Sequence, residues 1–112
     1  MTDPISERLL GERADALAQL AALSREYDGL VAASEASNAD DEHDPEGATI
    51  GFERAQLAAT IEMTRVRIAD LDRALSQVAT GGYGQCESCG DEIGAERLAA
   101  RPSARTCISC AT

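Results

Sequence analysis

Four cysteines fall in the last quarter of this 112-residue sequence, as Cys86-Glu87-Ser88-Cys89, then 17 residues, then Cys107-Ile108-Ser109-Cys110. The doubled C-x2-C limits what this region can fold into, because each pair presents two sulfurs from one tight turn and both turns must meet around a common centre. The spacing predicts a site for one structural Zn2+ with Cys86, Cys89, Cys107 and Cys110 as ligands. Four protein thiolates leave no open position for a catalytic water. Gly90 lets the chain turn after Cys89 so that amides face the sulfurs. An iron–sulfur cluster also takes four cysteines, and spacing alone does not separate the two. A disulfide framework fits less well, since Met1-Thr2-Asp3-Pro4 lacks the basic-then-apolar layout of a secretory signal and cytosolic thiols stay reduced. A redox C-x-x-C calls for a βαβ setting that is not found here. Ile93 and Leu98 are the expected core of the metal-nucleated piece, and Glu96 to Ala100 reads as one or two helical turns stopping before Pro102.

Upstream the pattern is helical. From Pro4 to about Ser37 the chain is mostly Ala, Leu, Glu and Arg, all strong helix formers, and Asp3-Pro4 is a start signal. Leu9, Ala16, Leu20, Leu23, Tyr27 and Leu30 fall on one helical face, with Ile5, Leu10 and Leu17 on its flanks. In the second stretch Leu57, Ile61, Thr64, Ile68, Leu71, Leu75 and Val78 alternate steps of four and three, a coiled-coil seam that Ile50 extends backward. Thr80-Gly81-Gly82 ends it, glycine being suited to the left-handed turn that stops helices. At 1.5 Å per residue the two stretches span roughly 51 and 46 Å, so they match in length and predict an antiparallel hairpin.

Between them, Asn38 to Thr49 holds five carboxylates, among them Asp40, Asp41, Glu42 and Asp44. Acidic loops are common solvated surfaces, and Asp44-Pro45 also suits a cap on the second helix. A hairpin, however, lifts these acids to its end as a concentrated negative point, fit for a divalent cation or a basic channel. His43 sits among them, exposed, with its imidazolium favoured by the surrounding carboxylates. The expected fold is therefore all-α dominated. Residues 1–81 form an antiparallel coiled-coil hairpin with an acidic tip at 38–49, and residues 82–112 a small four-cysteine zinc finger with a short helix.

Charge narrows the partners. The net charge is -10, from 20 acids against ten arginines with no lysine, and residues 1–80 hold 16 of the acids. Nucleic-acid affinity comes from neutralising phosphates, which an acidic chain with only three aromatic residues is poorly equipped to do. No apolar run approaches the roughly 20 residues of a membrane span. No nucleophile with an adjacent base and no phosphate-cradling loop can be identified, so an enzyme is not expected. The expectation is a cytoplasmic, monomeric protein that binds neither DNA, RNA nor membrane directly.

Gly82-Tyr83-Gly84-Gln85-Cys86-Glu87-Ser88-Cys89-Gly90-Asp91-Glu92-Ile93, with Arg97-Leu98, Ala100-Arg101-Pro102 and Cys107 to Cys110, resembles the C4 zinc finger of DksA/TraR proteins. The resemblance implies a regulator that binds bacterial RNA polymerase and passes its coiled coil through the secondary channel, bringing tip acids toward the catalytic Mg site. It makes Asp40, Asp41, Glu42 and Asp44 partner-binding candidates, with His43, Arg97 and Arg101 as further contacts. One departure stands out: known members carry Asp-Pro-x-Asp at the tip, and here Asp44-Pro45-Glu46-Gly47 has glycine at the second acid. The alternative is a zinc-containing coiled-coil adaptor or dimerisation module for another protein.

Overall fold

The computed structural model describes residues 4–38 and 45–111. Two long helices dominate, α1 over Pro4–Asn38 and α2 over Pro45–Thr80; a short α3 spans Ala95–Ala100, and a 3-10 turn follows over Ile108–Cys110. Among the described residues there is no strand beyond a single antiparallel bridge between Gln85 and Glu92. The all-α architecture expected from the heptads is thus present.

Helix α1 starts at the proline the sequence marks, where a fixed φ and a missing N–H cost nothing in the first turn. Helix α2 starts at Pro45, five residues before the Ile50 expected from the heptads. The same proline rule explains the difference: Pro45 is preorganised for a first helical position, and the helix runs on through Gly47 because one glycine costs only about 1 kcal/mol. Asp40, Asp41, Glu42, His43 and Asp44 lie outside the described residues. At the other end Gly81 takes φ 87° and the Gly82 amide donates to the Gln77 carbonyl at 2.9 Å. That six-to-one bond is a Schellman cap, as the Gly-Gly stop predicts.

Chain contacts cluster in two units, Ala16–Val66 and a second made of Met1–Asp15 with Arg67–Thr112. In the first, Ser24, Tyr27 and Asp28 lie beside Ala58, Ile61 and Arg65, while Gly29 and Leu30 lie beside Glu53 and Leu57. Rising numbers on α1 meet falling numbers on α2, which makes the pair antiparallel. Ala16, Ile61 and Thr64 are buried here. Thr64 is tolerated in an apolar seam because its hydroxyl donates to the Thr60 carbonyl one turn back at 2.8 Å.

In the second unit, Leu9, Leu71 and Ala74 are essentially inaccessible. Ala74 is absent from the heptad register; it lies three residues after Leu71, on the same face. Ion pairs flank this seam: Arg13 donates to Asp72, and Arg67 reaches Glu12 at 3.3 Å. Of the flanking residues, Leu10 stays half exposed. Leu71→Ala is therefore expected to cost about 3 kcal/mol in urea unfolding, through lost burial and the cavity left behind. Leu10→Ala should cost less than about 1 kcal/mol.

Candidate metal centre

The first knuckle is a miniature hairpin. The Cys86 amide donates to the Asp91 carbonyl at 2.8 Å and the Ile93 amide to the Gly84 carbonyl at 2.7 Å. Its tip, Glu87-Ser88-Cys89-Gly90, closes with the Gly90 amide on the Cys86 carbonyl at 3.0 Å, Gly90 adopting φ 78°. That conformation is open to glycine and strained for other residues, so the turn after Cys89 depends on it. The second knuckle is the 3-10 turn, in which the Cys110 amide donates to the Cys107 carbonyl at 3.1 Å.

The peptide between the knuckles is tied by side chains. Tyr83 donates its hydroxyl proton to the Pro102 carbonyl at 2.8 Å, and Arg97 Nε donates to the Thr106 carbonyl at 2.7 Å. Ile93 is buried, as the sequence predicts, while Leu98 is half-buried and packs over Gly84. Arg97 thus uses part of its guanidinium inside the finger, whereas Arg101 lies exposed on the surface.

All four cysteine sulfurs lie within 4.8 Å of one another, and those of Cys89 and Cys107 are 3.8 Å apart. A tetrahedron with Zn–S bonds of about 2.3 Å has an edge of about 3.8 Å. The donor set therefore fits one ion, whereas an iron–sulfur cluster places several atoms between its cysteines. The chemistry of the thiols agrees. The amides of Cys107 and Cys89 draw Cys86 down to about 6, while the sulfurs of Cys107 and Cys86 push Cys110 up to about 12. Without a cation the four groups cannot all ionise, and a divalent ion supplies the missing charge. The finger holds one structural zinc.

Residues 80–112 match the family described as prokaryotic dksA/traR C4-type zinc finger. This C-terminal segment is a DksA/TraR-type zinc finger. The chain is 48% identical over 48 residues to the "RNA polymerase-binding transcription factor DksA" of Escherichia coli (strain K12), covering 43% of this chain and 32% of that protein. The protein of the same name from Haemophilus influenzae is 45% identical over 42 residues, covering 38% of this chain and 29% of the relative. The chain spans about a third of the length of these curated relatives. Among solved structures, the transcription factor DksA2 from Pseudomonas aeruginosa superposes with a TM-score of 0.75 at 26% identity, covering 94% of this chain and 75% of that one.

Arg105, Arg73 and Glu87, which carry no mark in the sequence pattern, are central to the bonding of the finger. The available signal was an acid inside the first cysteine pair and an arginine two residues before the second.

Zinc affinity should depend on pH through the displaced protons. At neutral pH Cys110 is still a thiol and Cys86 already a thiolate, so zinc uptake releases protons and affinity rises with pH. Below about pH 6 Cys86 also protonates and the dependence steepens. Chelator competition from pH 5.5 to 8 checks this; the expected result is about tenfold more affinity per pH unit for each proton displaced.

Proposed function

We propose that this chain is a non-enzymatic, cytoplasmic regulator of bacterial RNA polymerase. In this reading residues 82–112, with Cys86, Cys89, Cys107 and Cys110 as zinc ligands, form a compact base, and residues 1–81 an acid-tipped hairpin. The hairpin enters the secondary channel and carries Asp40, Asp41, Glu42 and Asp44 toward the catalytic Mg site, with His43, Arg97 and Arg101 as further contacts.

The observation that carries the proposal is the extent of the structural likeness. The sequence match to the DksA proteins covers under half of this chain, yet the likeness to DksA2 reaches 94% of it and therefore includes both long helices. The chemistry is compatible. Polymerase sites hold Mg2+ through carboxylates and substrate phosphates, so added carboxylates nearby would perturb the metal or the substrate without any covalent step by this protein. The antiparallel seam covers Leu9, Ala16, Ile61 and Leu71 within one chain, which supports a monomer. Among the described residues no helix is long and apolar enough to cross a membrane.

In vitro transcription with a bacterial RNA polymerase tests the proposal. The native chain should change transcript yield, and Asp41→Asn/Asp44→Asn should abolish most of that change while polymerase binding persists. Failure of the native chain to bind polymerase, or a double variant whose effect per complex is unchanged, would overturn it.

A further inference from the structure

Glu87 lies between the first two cysteines and Arg105 two residues before the third, and the pair joins the knuckles twice. The Glu87 amide donates to the Arg105 carbonyl at 2.9 Å. In return the Arg105 guanidinium grips the Glu87 carboxylate with both prongs, Nε to Oε2 at 2.9 Å and Nη2 to Oε1 at 3.0 Å. Paired donors fix direction as well as distance, which a lysine at the same place could not do. The carboxyl of Glu87 is held below its ordinary range, first by this hydrogen bond, then by the charges of Arg105 and Arg73.

The same arginine also reaches outside the finger. Its Nη1 lies 3.5 Å from Asp70 on α2, and one turn on, Arg73 donates through Nη2 to the Ser103 carbonyl at 3.0 Å. The Ser103 carbonyl and the Arg105 side chain are thus both tethered to α2 shortly before the chain reaches Cys107. None of these bonds uses a cysteine sulfur, so all are compatible with a bound metal ion.

We propose that Arg105 is a positioning residue of the zinc centre: with Glu87 it sets the two cysteine pairs face to face, and with Asp70 and Arg73 it anchors that arrangement on α2. Zinc then binds a site part of whose ordering cost has been met by the clasp, which contributes to metal affinity through geometry rather than through any bond to the ion. Half-exposed ion pairs on protein surfaces contribute little singly, and only a two-pronged, networked pair is expected to rise above that level. Partners around metal ligands typically alter affinity tenfold or more. The expected effect lies between these limits.

The test measures Zn2+ affinity of the full chain by chelator competition, for native protein, Arg105→Gln, Arg105→Glu and the swap Glu87→Arg/Arg105→Glu. Arg105→Gln should weaken zinc binding about five- to tenfold and Arg105→Glu by more than tenfold, with the swap recovering part of the loss, because it restores the pair but sets a carboxylate at position 105 against Asp70. Recovery distinguishes a charge clasp from a side chain needed only for folding, and circular dichroism should show the helices intact in every variant. Affinities within about twofold of the native value, or a swap no better than Arg105→Glu, would overturn the clasp. Cobalt substitution keeps this separate from the ligand assignment: a native spectrum without four-thiolate charge-transfer bands would overturn the assignment of the four cysteines, whatever the variants do.

Discussion

Four thiolates cannot share a space 4.8 Å across unless a cation sits among them. Much of the C-terminal third answers that constraint. Gly90 turns the first knuckle, the 3-10 turn shapes the second, and the amides of Cys107 and Cys89 favour the ionised form of Cys86. Buried apolar surface could not do this work here. Among the described residues Cys86, Ile93 and Pro102 are the buried apolar side chains of the finger, and one buried aliphatic side chain contributes about 2 kcal/mol. Zinc binding to small finger peptides contributes about 10 kcal/mol or more, so the metal outweighs the core several-fold.

The helices follow a different economy. Each long helix has one apolar stripe, and among the described residues only a few apolar positions along it are buried, Leu9 and Ala16 on α1 and Ile61, Leu71 and Ala74 on α2. Two helices cover each other on one side only, so Leu20, Leu23, Tyr27, Leu30 and Leu57 remain half-buried. Polar seam residues survive where the helix backbone itself satisfies them, as Thr64 shows.

Periodicity and punctuation were legible in the sequence because they act locally. The four-and-three spacing on α2, the Pro4 start, the Gly81 stop and the doubled C-x2-C each rest on interactions within a few residues. Pro45 was a weaker signal, since it borders an acidic run that reads as loop, and α2 gained five residues over the heptad estimate. The burial of Ala74 is not legible from periodicity, because alanine marks no face by itself. The clasp of Glu87 and Arg105 was hardest to read: its members are 18 residues apart and meet only once both knuckles have closed.

Arginine use explains why the chain remains so acidic in effect. Arg13 and Arg67 engage carboxylates across the helix pair, Arg105 engages Glu87 and Asp70, and Arg73 and Arg97 donate to the carbonyls of Ser103 and Thr106. A planar guanidinium with five N–H donors suits such ties, and a lysine-free chain has no other strong cation for them. Cations held in this way do not gather into the basic stripe that phosphate backbones require. The acids outnumber them two to one, with five inside residues 38–49, where like charges repel and fold stability gains nothing from their crowding.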